Sequence, residues 1–195
     1  MIKTIIFDFA GVLTTEGFRK GLIRKLKERY DFDGELFNER FLEHEVLYMA
    51  GKMPVEDFWS KLCLGFNIPL NYFIYSFQNC YELNEGVVEV IKSLKGHYKI
   101  VLFSDNFDVL SPVIKQDARI IQLFDEMYFS DEMGLIKKQP GSFELLFNLL
   151  KENPSDCVFI DDKEHNLRPA KDLGCKVILF NGTEDFKEEL MSVLN

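Results

Sequence analysis

The stretch IIFDFAGVLTT, residues 5–15, is the part of the chain that decides the fold. A short, apolar, β-branched run ends in Asp8, and Ala10 and Gly11 follow at once. A run of this kind is typical of a strand that is buried on both faces of a sheet. Similar runs recur later in the chain, at 98–103, 126–129, 157–161 and 175–180.

Helical spacing of apolar residues separates the later runs, at 84–96, 140–154 and 164–174. Strands that alternate with helices predict an α/β fold, here a Rossmann-like, doubly wound, parallel five-stranded sheet. The segment after the first strand breaks this alternation, because it contains only helical patterns. We therefore expect an α/β core domain formed by residues 1–15 and 84–195, and a small helical cap domain formed by residues 16–83.

The composition limits the partners of the protein. The 195 residues are 47% hydrophobic, which is enough for a sizeable core, and their formal net charge is -9. An acidic chain lacks the basic face that nucleic acid requires, although a few local donors can still hold one phosphate. We find neither a signal-peptide pattern nor an apolar run near the roughly 20 residues that span a bilayer. We expect a cytoplasmic protein that binds neither nucleic acid nor membrane; the sequence is silent on oligomeric state.

Charged and polar residues follow the ends of the predicted strands. Taken singly, each is an ordinary helix cap, turn residue or solvated loop charge. In an open parallel sheet, however, ligands bind beyond the carboxyl ends of the strands, so these residues should lie together. Neighbouring carboxylates repel one another and usually require a bound cation. In chain order the residues are Asp8, Ser104, Asp105, Asn106, Lys137, Lys138, Asp161 and Asp162.

With these motifs the chain resembles the haloacid dehalogenase-like hydrolase superfamily, in the branch with a helical cap inserted after the first motif. The resemblance covers almost the whole chain. In the third motif Lys138 stands where a proline is common. The four motifs are FDFAGVL (7–13), VLFSDN (101–106), GLIKKQPGSF (134–143) and VFIDDKEHN (158–166).

The resemblance implies a phosphatase that acts on a small phosphate ester. Asp8 would be the nucleophile and would form an aspartyl-phosphate. Mg²⁺ would bind Asp8, the backbone carbonyl of Ala10 and Asp162, and Asp161 would be a further ligand or would hold a metal-bound water. Gly11 would let the chain turn sharply beneath the site.

The resemblance also implies a phosphoryl-binding group. Ser104, Asp105 and Asn106 would bind the phosphoryl oxygens through the serine hydroxyl and nearby backbone N–H groups. Lys137 would offset the negative charge of nucleophile and phosphate. We expect Lys137 rather than Lys138 to take this role, because its spacing within the third motif matches the position of the family's lysine.

Ala10 departs from the family pattern, since most phosphatases of the family have an Asp there. That acid protonates the leaving group and then activates water, and losing such a group typically costs about 10²–10⁴ in rate. The metal site is less affected, because its ligand at this position is a backbone carbonyl. We expect a preference for easy leaving groups, unless Glu16, His44 or Glu45 of the cap supplies the proton.

Three functions remain open from the sequence. The first is a Mg²⁺-dependent phosphatase, and we favour it. The second is a metal-independent 2-haloacid dehalogenase, which the pair Asp161 and Asp162 disfavours because adjacent acids would repel a carboxylate substrate. The third is a catalytically retired binding or interaction protein, since a fold alone does not imply activity.

Overall fold

The five predicted strands form one sheet, so the predicted α/β class is confirmed. The structure, a computed structural model, describes residues 1–194. Within that range the strands are β1 (Thr4–Phe7), β2 (Lys99–Ser104), β3 (Glu126–Phe129), β4 (Cys157–Asp161) and β5 (Lys176–Leu179). All neighbouring pairs are parallel, and the order across the sheet is β3-β2-β1-β4-β5.

Strand β1 lies at the centre, where Thr4 pairs with Lys99 of β2 and with Cys157 of β4. Successive side chains of a strand point to opposite faces, and both faces of β1 are covered. Ile5 and Phe7 pack into one apolar cluster, and Ile6 packs into the other. A strand buried on both sides needs apolar residues at every position, which is why the run TIIF does not alternate with polar residues.

The segment where we predicted a cap contains four helices. We call residues 16–83 the helical insert. Its helices are α1 (Phe18–Lys27), α2 (Gly34–Met49), α3 (Val55–Cys63) and α4 (Leu70–Gln78). The chain enters and leaves the insert side by side, through an antiparallel bridge between Thr14 and Leu83. Buried residues of the insert and of one sheet face form a continuous apolar cluster, and the status of the insert as a separate domain stays a prediction.

The C-terminal end of α2 is fixed to the sheet domain. The Ser130 hydroxyl donates a hydrogen bond to the Met49 carbonyl at 2.6 Å. The Tyr48 hydroxyl contacts the Asp108 carboxylate and accepts a hydrogen bond from the Trp59 indole at 3.1 Å. These contacts hold the last turn of α2 against the loops that follow β2 and β3.

The remaining helices complete the two layers around the sheet. The three predicted helices are present, but three helices of four residues and the helix at the C-terminal end were not predicted. No helix within residues 1–194 is long and apolar enough to cross a membrane. The helices are α5 (Glu85–Leu94), α6 (Ser111–Ile114), α7 (Ala118–Ile121), α8 (Ser130–Met133), α9 (Ser142–Leu150), α10 (Glu164–Asp172) and α11 (Thr183–Leu194).

Candidate active site

Strand β1 ends at a tight backbone turn that carries Asp8 and Ala10. The turn spans Phe9–Leu13 and is closed by a hydrogen bond from the Thr14 N–H to the Phe9 carbonyl at 3.0 Å. Gly11 lies inside it with φ +92°, a conformation that L side chains rarely adopt, so the sharp turn predicted for Gly11 is present. A Cβ at this position would lie 2.6 Å from Asp162 Oδ2. Glycine therefore lets the backbone after β1 approach the carboxylate after β4.

Lys137 lies between two carboxylates at the end of the sheet. Its Nζ is 2.5 Å from Asp8 Oδ1 and 2.7 Å from Asp161 Oδ2, and only 1% of the residue is exposed. The rings of Phe103 and Phe159 lie near the same ammonium, with centroids at 5.5 and 5.2 Å. Burial disfavours the charged lysine, but the neighbouring carboxylates outweigh it and raise the pKa of Lys137. The lysine therefore stays charged and fixes Asp8 in place.

Two side chains hold the backbone of Lys137. The Lys137 N–H donates to Asp105 Oδ1 at 2.8 Å, and the Ser142 hydroxyl donates to the Lys137 carbonyl at 2.7 Å. Burial raises the pKa of Asp105, because the charged carboxylate is disfavoured where it is shielded from water. The side chain of Asp105, predicted among the phosphate-binding residues, thus positions the lysine.

Asp161 and Asp162 differ in what they can still bind. Asp161 accepts four hydrogen bonds: one from Lys137 Nζ, two at 3.1 Å from Asn166 Nδ2, and one at 2.8 Å from the Lys163 N–H. An ionised carboxylate offers about four acceptor positions, so Asp161 is filled. Asp162 Oδ1 is buried and has no hydrogen-bond partner among residues 1–194. Of the two acids predicted as metal ligands, Asp162 is the one with acceptor capacity to spare.

Three carboxylates of this site could surround a cation. Oxygen atoms of Asp8, Asp161 and Asp162 lie within 4.8 Å of one another. Burial raises the pKa of Asp8 to about 7, against the opposing charge of Lys137, and burial also raises the pKa of Asp162. Crowded acids of this kind are relieved by a cation, and hard oxygen donors suit Mg²⁺. Of these three carboxylates, Asp161 is already filled by protein donors, and the ligand roles predicted for Asp8, Asp162 and the Ala10 carbonyl stay predictions.

The residues predicted to bind phosphate divide into two groups. Ser104 ends β2, and within residues 1–194 its hydroxyl makes only a long contact, 3.4 Å to the Asp105 carbonyl. Asn106 is fully buried, and its donors go to the protein: its N–H to Ser130 Oγ at 2.9 Å and its amide nitrogen to Ser111 Oγ at 3.0 Å. The predicted phosphate contact of Asn106 stays a prediction, and in this arrangement its N–H and its amide nitrogen already donate to the protein. Asn106 instead ties the loop after β2 to its neighbours.

A cleft of about 380 Å³ opens between the helical insert and this end of the sheet. Of the three residues of the insert that could replace the missing acid, only Glu45 lines it. Glu16 accepts a hydrogen bond from Arg24 at 2.9 Å, and His44 lies beside Glu43. The cleft is lined by Ala10, Gly17, Phe18, Arg19, Lys20, Phe41, Leu42, Glu45, Met49, Asp105, Phe107, Ile136, Lys138, Asp162, Lys163, His165 and Asn166.

Sequence reasoning missed the residues that support the charged ones. Asn166 and Ser142 anchor Asp161 and Lys137, and the rings of Phe103 and Phe159 enclose the ammonium. Asn166 lay within the fourth motif, five residues after Asp161, where the first turn of α10 brings it back to the end of β4. That spacing was the available signal, because a residue in the first turn of a helix after a strand faces the strand's carboxyl end.

Comparison with known proteins gives the family and related phosphatases. A family model described as haloacid dehalogenase-like hydrolase matches residues 2–174. Rat bifunctional epoxide hydrolase 2 is 34% identical over 220 aligned positions, which cover 98% of this chain but 39% of that protein. The chain thus spans about two fifths of the length of this relative. D-ribitol-5-phosphate phosphatase of Bacteroides thetaiotaomicron is 24% identical over the full length of both chains.

Solved structures share the fold. A predicted hydrolase of the family from Porphyromonas gingivalis matches with a TM-score of 0.79 and 22% identity, over 100% of this chain and 98% of that one. An enzyme of the family from Bacteroides thetaiotaomicron, in complex with magnesium and inorganic phosphate, matches with a TM-score of 0.73 and 20% identity, over 97% and 99%. The family model covers most of the chain, and the chain belongs to the haloacid dehalogenase-like hydrolases.

Proposed function

We propose that this protein is a Mg²⁺-dependent phosphatase that acts on a small phosphorylated metabolite through an aspartyl-phosphate on Asp8. One observation carries the proposal: a buried ammonium, Lys137 Nζ, holds Asp8 at the end of the central strand. A nucleophilic carboxylate needs a fixed orientation and a neighbouring positive charge when it attacks a phosphate. The similarity to D-ribitol-5-phosphate phosphatase supports a phosphatase activity.

The donor set supports a role for Mg²⁺. Asp8, Asp162 and the Ala10 carbonyl would hold the ion, and the unpaired oxygen of Asp162 is the strongest argument for it. When bound, the ion would offset negative charge on the phosphoryl oxygens and orient the phosphate. The relative with a similar fold was solved with both magnesium and inorganic phosphate, which agrees with this proposal.

The residues of this chain would act in two steps. In the first, a carboxylate oxygen of Asp8 attacks phosphorus and the ester oxygen leaves, while Lys137 balances the charge of the attacking group. The Ser104 hydroxyl, whose hydrogen bond to the Asp105 carbonyl is long at 3.4 Å, would donate to a phosphoryl oxygen. In the second step, water attacks the phosphorus of the aspartyl-phosphate, and inorganic phosphate and the Asp8 carboxylate are released.

The cleft favours a small substrate. Its volume of about 380 Å³ is near the lower end of the roughly 300–1,000 Å³ that is usual for small-molecule sites. Apolar side chains of the insert, such as Phe41 and Met49, face the acids and the lysines of the sheet domain across it. We therefore propose that the insert serves as the cap that selects the substrate.

Ala10 favours a second candidate, a protein that kept the fold and binds a phosphorylated ligand without turning it over. The nucleophile, the lysine and the metal donors would serve phosphate binding equally well. A dehalogenase is disfavoured, because the unpaired carboxylate of Asp162 would repel a carboxylate substrate.

An assay with p-nitrophenyl phosphate, in Mg²⁺ and in EDTA, separates these functions. We expect turnover that requires Mg²⁺ and is lost in Asp8→Asn and Asp162→Asn. Asp172→Asn is the matched control, because Asp172 is an exposed acid of α10 and is not among the residues that line the cleft. Mg²⁺ binding without turnover of any phosphate ester would favour the retired binding protein. Turnover that is insensitive to EDTA would contradict the metal site.

A further inference from the structure

Because residue 10 is an alanine, it cannot donate a proton to the leaving group. One side chain of the insert lines the cleft and could donate that proton instead. We propose that Glu45 protonates the leaving-group oxygen and later activates water, in the role that Ala10 does not fill. This inference rests on the proposed phosphatase function. It names a catalytic residue outside the four motifs.

Glu45 stands alone on the face of α2 that lines the cleft. Phe41, Leu42, Glu45 and Met49 all line the cavity, and this spacing places them on one side of the helix. Three of the four are apolar. Ala10, where the acid usual for the family is missing, lines the same cleft. A carboxyl group therefore lines the cleft from an otherwise apolar face of α2.

The position of Glu45 is fixed by the contacts of the next turn of α2. Tyr48, three residues later, contacts Asp108, and the carbonyl of Met49, four residues later, accepts the hydrogen bond from Ser130. Both contacts reach loops that follow strands of the sheet. They hold Glu45 above the cleft rather than letting it move with a free helix end.

Burial and charged neighbours determine how readily Glu45 holds a proton. Arg19 is the nearest cation, with Nη1 3.7 Å from Glu45 Oε2. Burial outweighs this charge and those of Lys138 and Lys163, so the pKa of Glu45 is raised; the carboxylate of Asp105 acts in the same direction. Lys20 and His165 also line the cleft. A phosphate dianion that entered the cleft would raise the pKa further, because it disfavours a second negative charge.

The proposed steps balance in atoms and charge. Asp8 attacks phosphorus, the bond from phosphorus to the ester oxygen breaks, and the carboxyl proton of Glu45 moves to that oxygen to release a neutral alcohol. The Glu45 carboxylate then takes a proton from water as the water oxygen attacks the phosphorus of the aspartyl-phosphate. Inorganic phosphate and the Asp8 carboxylate are released, and Glu45 is again protonated.

The test is Glu45→Gln, with Glu43→Gln as the matched control. Glu43 lies two residues before Glu45 on α2, is exposed, and does not line the cleft. Wild type and both variants would be assayed in Mg²⁺ with p-nitrophenyl phosphate and with a sugar-alcohol phosphate. The aryl ester leaves as a stable anion and needs no proton, whereas the alkyl ester needs one.

We expect Glu45→Gln to lower kcat/KM for the alkyl ester by about 10²–10⁴, and Glu43→Gln to leave it unchanged. With the aryl ester, Glu45→Gln should release one equivalent of p-nitrophenol in a burst and then turn over slowly. The burst follows because phosphorylation of Asp8 proceeds while hydrolysis of the aspartyl-phosphate lacks its base.

Three results would overturn the inference. The first is a Glu45→Gln variant that behaves like Glu43→Gln. The second is an equal loss on both esters without a burst, which would mean a structural role. The third is that His165→Gln, rather than Glu45→Gln, loses alkyl-ester turnover and shows the burst with the aryl ester. This result would make the exposed histidine of the cleft the proton donor. The proposed function fails separately, and the inference with it, if wild type shows no Mg²⁺-dependent turnover of either ester.

Discussion

Replacing Gly11 by alanine should remove the protein's response to Mg²⁺ as well as part of its stability. Gly11 has φ +92°, where an L residue costs about 1–2 kcal/mol. The new Cβ would also lie 2.6 Å from Asp162 Oδ2 and 2.9 Å from its Cγ, so the carboxylate must move. Asp162 carries the unpaired oxygen of the proposed metal site, and the move displaces it.

Gly174 provides a matched control, because it has the same φ of +92° and nothing lies within 4 Å of its Cβ position. Gly174→Ala should lose the same 1–2 kcal/mol and keep the metal site. With Mg²⁺ at about 100 times its Kd, wild type and Gly174→Ala should each gain roughly 2.7 kcal/mol, and Gly11→Ala should gain little.

The assay is urea unfolding of the three proteins in Mg²⁺ and in EDTA. In EDTA we expect the two alanine variants to have similar free energies of unfolding, apart from the effect of moving the Asp162 carboxylate. In Mg²⁺ we expect the free energy of unfolding of Gly11→Ala to be lower than that of Gly174→Ala by about 2.7 kcal/mol, the amount that bound Mg²⁺ adds. The reasoning is refuted if Gly11→Ala gains as much from Mg²⁺ as Gly174→Ala does.

Three further predictions follow from single features of the structure. Lys137→Met should weaken the binding of inorganic phosphate in Mg²⁺ by about 10- to 100-fold, which is the contribution of one charge-assisted hydrogen bond, whereas Lys138→Met should weaken it far less. Titration calorimetry would measure both affinities, and equal losses in the two variants would contradict the assignment of Lys137 as the phosphate-binding lysine. Adding Ala10→Asp to Glu45→Gln should restore alkyl-phosphate turnover, because Ala10 lines the same cleft as Glu45. A double variant as slow as Glu45→Gln would argue against the idea that the two positions serve the same proton transfer. Lys151→Gly should raise the free energy of unfolding by up to about 1 kcal/mol, because Lys151 has φ +57° at the end of α9, while Lys171→Gly in the last turn of α10 should lower it by a similar amount. Thermal unfolding of both lysine variants checks this, and a loss in Lys151→Gly would contradict it.

The sheet could be predicted because the central strands β1, β2 and β4 are buried and largely apolar, and all five predicted runs became strands. The ends of those strands in turn indicated Asp8 and Lys137, which meet at 2.5 Å. The helices α6, α7 and α8 were beyond prediction, because four residues are too few for a helical period to show.

The roles of neighbouring polar residues could not be predicted, because they depend on hydrogen bonds between distant segments. Asp161 and Asp162 are adjacent and chemically identical, yet four hydrogen bonds from Lys137, Lys163 and Asn166 fill only the first. Asn106 follows Asp105 directly, but it donates hydrogen bonds to Ser111 and Ser130 rather than to the loop that carries Lys137. Likewise the sequence offered three proton donors in the insert, and only the docking of α2 brings Glu45 to the cleft.

The place of β1 in the sheet has a consequence for synthesis on the ribosome. Among the five strands β1 emerges first, but its two partners are β2 and β4, so Thr4 has its full pairing only after both Lys99 and Cys157 have emerged. Roughly 150 residues separate β1 from β4, which at ribosomal rates is on the order of 10–30 s. Until β4 emerges, TIIF is an apolar strand with at least one unpaired edge, the kind of segment that recruits other chains. The nascent chain should therefore depend on chaperones until residue 161 has emerged, and most of all when translation slows between β2 and β4.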